Sequence, residues 1–190
     1  MSTNILKDDL EYISNYNLPY KNLKGHTVLV TGATGLIGFH LNKAQLTNGD
    51  IKIIALIRNI NKAKEIYTKE EMKHISFVIG DIVEKINIDV QIDYIFHCAA
   101  VTTSKTMINN PVETIITSVN GTNNILKLAA EKKSKSVVFI SSMEMYGSFD
   151  GDAGEVTEGK IGYVDPLKVR SNYPESKRLC ENMCIAFLNE

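Results

Sequence analysis

The stretch "LVTGATGLIG", residues 29–38, places glycines at 32, 35 and 38 directly after the apolar run Val28, Leu29 and Val30. Glycine loses more backbone entropy on folding than any other residue, so its repetition here requires either positive φ or very close approach to the main chain. At a strand-to-helix turn the backbone N–H groups converge with the positive end of the helix dipole, and a pyrophosphate fits such a place. A tight turn with close helix packing is the competing explanation of the same glycines.

Around this turn, apolar runs alternate with helical stretches. The runs are at 27–31, 51–57, 75–79, 93–100 and 136–142. They are rich in Ile and Val and lack polar alternation, as strands buried on both faces should be. Helices are expected at about 36–48, 60–71, 106–132 and 173–189, with Pro111 near a helix start or at a kink. The alternation describes a doubly wound α/β domain over 24–190, preceded by an N-terminal helical extension, 1–23. In such folds ligands lie beyond the carboxyl ends of the strands. Only 145–172, rich in Gly and Asp, lacks periodicity, and loops of that length are usually functional or mobile.

Composition removes several classes of function. With 21 Lys and Arg against 22 Asp and Glu in 190 residues, nothing favours a nucleic-acid polymer or an anionic membrane surface. No stretch approaches the roughly 18 consecutive apolar residues of a membrane span, and the first residues do not read as a targeting peptide. Three cysteines, Cys98, Cys180 and Cys184, suit reduced thiols in a cytoplasmic protein, and no metal site is expected from them.

The Gly-x-x-Gly-x-x-Gly spacing differs from the commonest dinucleotide fingerprint. It resembles the "TGxxGxxG" of the extended short-chain dehydrogenase/reductase superfamily. That resemblance demands a Tyr-x-x-x-Lys on a later helix and a Ser or Thr after the fifth strand. "YPESK" supplies Tyr173 and Lys177, and "ISSMEMYG" supplies Ser142, with "GDI" at 80–82, "HCAA" at 97–100 and "VNGTNNILKLA" at 119–129 also matching. The likeness runs over about 24–190 and implies a Rossmann-like sheet with helices on both faces, lacking the usual C-terminal strands and substrate domain.

The resemblance also implies roles. Gly32, Thr34, Gly35, Leu36, Ile37 and Gly38 would hold the pyrophosphate, Asp81 and Ile82 would lie at the adenine, Ala99 and Ala100 along the phosphates and ribose, and Ser141 on the nicotinamide side. Ser142, Tyr173, Lys177 and Glu144 would be catalytic, with Tyr173 and Lys177 also touching the cofactor. A phenol titrates near ~10, so a tyrosine base at neutrality needs about 4 kcal/mol of help. An ammonium about 4 Å away at an effective dielectric of ~20 supplies about that. A spacing of four puts both side chains on one helix face.

Arg58 departs from the family pattern, in which the second strand often ends in an acid that pairs with the ribose hydroxyls. A guanidinium can clamp a 2′-phosphate or stack on adenine, so the cofactor is NAD or NADP with a lean to NADP. Glu144 in "SSMEMYG" resembles the glutamate of nucleotide-sugar decarboxylases and 4,6-dehydratases. Met143 stands where the dehydratases place an acid, which favours decarboxylation or epimerisation of a nucleotide sugar through oxidation at C4. A carbonyl reductase and a non-catalytic cofactor-binding module remain as alternatives, and so does a truncated chain. Homodimerisation is expected through the helices at 106–132 and 173–189.

Overall fold

The structure, a computed structural model, describes residues 2–16, 18–151 and 154–190; 1, 17, 152 and 153, which fall in the expected N-terminal extension and the aperiodic segment, lie outside the described residues. Among the described residues, five strands, β1 (Thr27–Thr31), β2 (Lys52–Ile57), β3 (Ile75–Ile79), β4 (Tyr94–His97) and β5 (Ser136–Phe139), form one sheet in the order β3-β2-β1-β4-β5. Six α-helices among the described residues accompany them: α1 (Ser2–Asn15), α2 (Leu36–Asn48), α3 (Ile60–Ile66), α4 (Ser104–Asn109), α5 (Pro111–Lys132) and α6 (Asn172–Asn189). The doubly wound parallel sheet expected from the alternating pattern is present.

The chain forms two compact units. The first comprises Met1–Asp81, Ile86–Ala99 and Leu128–Val138. In it, β1 pairs in parallel with β2 and β4, so that Leu29 lies between Ile54 and Ile95. Val28, Leu29, Val30 and Thr31 are wholly buried, which explains why the strand shows no polar alternation. A core of Val28, Val30, Ala33, Ile53, Ala55, Ile57, Ala63, Tyr67 and Ile75 fills one face of this sheet. The strand order reverses direction at β1, the topological switch where open α/β sheets bind ligands.

At the other end of β1, the Asp93 carboxylate accepts the Thr27 N–H at 2.9 Å and lies 3.3 Å from His26 and 3.5 Å from Lys135. The Thr27 hydrogen bond, with the two basic groups adding to it, holds this carboxyl below the usual carboxylate range. A depressed folded-state value stabilises the protein above about pH 4 and is lost as pH falls through it. Urea unfolding is therefore expected to show stability declining from pH 5 to pH 2, by about 1 kcal/mol from this group. Asp93→Asn should remove that part of the decline, and an unchanged acid limb in the variant would reject the assignment.

The second unit comprises Ile82–Lys85, Ala100–Lys127 and Phe139–Glu190. The expected single helix at 106–132 is two helices here. Asn110 takes φ −129° and ψ 61° because the ring of Pro111 disfavours the helical region for the residue before it. Pro111 then starts α5, where its missing N–H is harmless.

Three other boundaries also fall short of the expected ranges. β5 ends at Phe139, and Ser142 caps a 3-10 turn, Met143–Tyr146, by accepting the Glu144 N–H at 3.2 Å. β4 ends at His97, after which the Ala99 N–H leaves the ladder for the Thr31 hydroxyl at 3.1 Å. α3 stops at Ile66 instead of reaching 71, because Tyr67 turns out of the helix (ψ 138°) to bury its ring. Thr68 and Glu71 then cap each other reciprocally, Thr68 N–H to Glu71 Oε2 at 2.8 Å and Glu71 N–H to Thr68 Oγ1 at 3.2 Å.

Candidate active site

The first unit carries the glycine turn. Gly32 has φ +65°, and a Cβ built on it would lie 2.8 Å from the Ala99 nitrogen. A Cβ on Gly38 would lie 2.5 Å from the Gly32 carbonyl oxygen, whereas one on Gly35 would be 3.2 Å from the same atom. Gly32 and Gly38 are thus demanded by the close packing of turn, helix and β4, and the packing reading of these two glycines holds on geometry alone. Gly35 is different, because it caps α2 without any side-chain hydrogen bond, and no acidic residue stands in the first helical turn. Thr34 is half-buried, while Gly35, Leu36 and Ile37 are exposed. The start of α2 therefore presents backbone N–H groups with no carboxylate competing for them.

Arg58 follows β2 and is exposed, its guanidinium 3.9 Å from the Asp81 carboxylate. Ala99 follows β4 and is partly buried beside Gly32. The turn, Arg58, Asp81 and Ala99 thus all stand at the carboxyl ends of their strands.

The second unit carries Ser142, Glu144, Tyr173 and Lys177. Tyr173 and Lys177 lie one helical turn apart on α6 and are 8% and 3% exposed. The Lys177 ammonium donates to the Ile140 carbonyl at 2.7 Å and stands 4.5 Å from the Phe139 ring centroid and 5.7 Å from that of Tyr173. The carbonyl and the two aromatic faces thus fix the position of the buried Lys177 amine beside the Tyr173 ring. Ser142 lies at the N-terminus of the 3-10 turn that carries Glu144.

Arg170, absent from the sequence reading, completes this group. Its Nη2 binds Glu144 Oε1 at 2.8 Å and its guanidinium carbon lies 5.7 Å from the Tyr173 ring centroid. Arg178, on the same helix as Tyr173, ties down the aperiodic segment by donating to the carbonyls of Met145 at 2.6 Å and Gly162 at 2.8 Å. Asn172 anchors the start of α6 through the Met107 carbonyl at 2.6 Å.

Ile82, Ala100 and Ser141 also belong to this unit. Ile82 is buried against Gly121, whose missing side chain makes room for it, and its carbonyl accepts from Asn124 at 2.9 Å. Ala100 is partly buried. The Ser141 hydroxyl donates to Glu181 of α6. Cys180 is wholly buried, its thiol pushed up by burial and donating to the Ser118 carbonyl at 3.3 Å, which makes it a packing residue. Among the described residues no helix is long and apolar enough to cross a membrane.

Residues 28–190 match the NAD dependent epimerase/dehydratase family, and the chain belongs to that family. Among its relatives are UDP-glucuronic acid decarboxylase 1 of Danio rerio, 29% identical over 86% of this chain and 38% of that protein, and UDP-glucuronic acid decarboxylase 6 of Arabidopsis thaliana, 34% identical over 82% and 44%. UDP-N-acetyl-alpha-D-glucosaminuronate decarboxylase of Bacillus cytotoxicus is 32% identical over 84% and 49%. The chain spans half or less of the length of these relatives. A variant of UDP-glucuronic acid 4-epimerase from Bacillus cereus, solved with UDP-4-deoxy-4-fluoro-glucuronic acid and NAD, superposes with a TM-score of 0.70 at 25% identity, over 86% of this chain and 52% of that one.

Proposed function

We propose that this chain supplies the cofactor-binding and proton-transfer residues of an enzyme that modifies a UDP-linked uronic acid through transient oxidation at C4, with decarboxylation as the outcome and epimerisation as the second reading. The observation that carries the proposal is the buried Tyr173–Lys177 pair on one face of α6, with Glu144 and Arg170 joined beside the Tyr173 ring. The names of the relatives support a uronic acid substrate. Met143, which has no proton to give, argues against the dehydratase branch.

The glycine turn fits a pyrophosphate, since Gly35 caps α2 without a side chain and no carboxylate stands in the first turn of that helix. Bound NAD supplies reversible hydride acceptance. In this reading Tyr173 takes the proton of the C4 hydroxyl, Lys177 favours the phenolate, and the Ser142 hydroxyl donates to the reacting oxygen. Oxidation at C4 makes the sugar a β-keto acid, so the bond to its carboxylate breaks with the electron pair passing to the C4 oxygen. Ser142 and the protonated Tyr173 hold that oxygen, and Glu144, fixed by Arg170, is the charged group beside them.

Arg58 gives NADP a place in the reading alongside NAD, although its neighbour Asp81 would repel a 2′-phosphate. Titration with the two cofactors is expected to show binding of both, and Arg58→Ala should weaken NADP by about tenfold more than NAD. Equal losses would remove the 2′-phosphate role. The central test assays the encoded protein with UDP-glucuronate and NAD. Formation of carbon dioxide and a UDP-pentose without net reduction of NAD is expected, whereas net NADPH consumption on simple carbonyl compounds would replace this reading with a carbonyl reductase.

The expected self-association also belongs here. Val112, Ile115, Ile116 and Leu179 are exposed on α5 and α6, and Ile115 and Leu179 line a shared shallow cavity of about 380 Å³. A second copy of this chain is the proposed occupant of that face. Sedimentation equilibrium should give the dimer mass, and a monomer would reject the proposal.

A further inference from the structure

The hydroxyl of Tyr67 has no role in filling the core, since a phenylalanine ring would pack equally well against Phe39 and Phe77, whose centroids lie 5.3 and 5.8 Å away. Yet the residue is 3% exposed, and its hydroxyl donates to the Ala33 carbonyl at 2.7 Å while accepting from Asn42 Nδ2 at 3.0 Å. Ala33 lies inside the glycine turn, between Gly32 and Thr34. Because burial pushes the phenol up to about 12, it stays a proton donor at every working pH.

Tyr67 is itself firmly fixed. The Lys43 ammonium stands 5.6 Å from its ring centroid and binds both oxygens of Glu71 at 2.6 Å, and Glu71 caps the chain at Thr68, the next residue. The hydroxyl therefore ties the glycine turn to the buried packing of the first unit.

We propose that Tyr67 is a positioning residue for the nucleotide: by holding the Ala33 carbonyl inward, it aims the N–H of Thr34 outward at a phosphate. This rests on the cofactor reading above. The peptide between Ala33 and Thr34 is planar and trans, so its C=O and N–H point in opposite directions, and fixing one fixes the other. The Gly35 N–H is already used within the turn, donating to the Gly32 carbonyl at 2.8 Å, so it adds rigidity and not a donor. A donor oriented before the anion arrives needs no ordering on binding, which is where its contribution to affinity comes from.

Tyr67→Phe tests this, with Asn42→Leu as its partner. The Asn42 change removes the other hydrogen bond of the hydroxyl but leaves the Ala33 contact in place. Calorimetric titration with NAD is expected to show a dissociation constant about tenfold higher in Tyr67→Phe and within about twofold of the parent in Asn42→Leu. Equal affinities in Tyr67→Phe and the parent would overturn the proposal, and so would losses in both variants that track their unfolding midpoints. If Tyr67→Phe does not fold, the parent decides by amide NMR. A large shift of the Thr34 amide on adding inorganic pyrophosphate supports the proposal, and an unmoved Thr34 overturns it. A parent chain that binds neither NAD nor NADP would overturn the cofactor reading itself, a result distinct from a parent that binds and a Tyr67→Phe variant that binds equally.

Discussion

Tyr173→Phe is expected to lower kcat about a thousandfold, the range that loss of a positioned general base produces, while the dissociation constant for NAD stays within about twofold. The ring is 8% exposed and faces Arg170 and Lys177 through its π surface, and phenylalanine keeps that surface and volume. Only the hydroxyl is removed, so the urea midpoint should move little. The assay follows carbon dioxide and UDP-sugar from UDP-glucuronate, with circular dichroism and NAD titration on the same preparation. Turnover equal to that of the parent would show that the proton leaves by another group, and the role given to Lys177 would fall with it. A large kcat loss accompanied by an equal loss of NAD affinity would instead mark Tyr173 as a structural residue of α6.

The parts of this molecule that were legible in its sequence are those set by local rules. β1 reads as a buried central strand because four consecutive residues are apolar or β-branched, and they are buried on both faces. The glycine spacing marks the turn because only glycine tolerates a backbone 2.5 to 2.9 Å from where its Cβ would be. The Tyr173–Lys177 spacing gives one helix face with no tertiary information. The end of α3 was also legible, although the sequence reading carried the helix to 71: the Thr-x-x-Glu of residues 68–71 is a capping box, which places Tyr67 outside the helix.

Other features depend on contacts between distant segments. Arg170 lies in a stretch without periodicity, and its partner Glu144 is 26 positions earlier, so no local pattern links them. Tyr67 reaches Ala33 across 34 positions. Nor does sequence spacing reveal that the Ser142 hydroxyl caps its own turn, or that the Ser141 hydroxyl bonds to Glu181.

Gly38→Ala should be strongly destabilising, although alanine is the better helix former. In an ordinary exposed helix interior the change would stabilise by about 1 kcal/mol, because alanine has the higher helix propensity. Here the new methyl would meet the Gly32 carbonyl oxygen at 2.5 Å, its carbon at 2.9 Å and the Ala33 Cα at 3.0 Å. These are backbone atoms, and no rotamer change relieves them, so α2 must move away from the turn. Overpacking of this kind costs about 3 kcal/mol, which outweighs the propensity gain and leaves a net loss of about 2 kcal/mol. Gly32→Ala adds the strain of φ +65° to contacts of 2.8 to 2.9 Å with Cys98 and Ala99, and is expected to be at least as severe. Gly35→Ala, at 3.2 Å and φ −88°, should lose less than about 1 kcal/mol. Urea unfolding ranks the three, and NAD titration then separates packing from binding. If the turn holds a pyrophosphate, Gly38→Ala loses affinity as well as stability, because displacing α2 moves the N–H groups at its start. If Gly38→Ala instead binds NAD as the parent does while unfolding earlier, the glycines serve packing alone and the cofactor lies elsewhere.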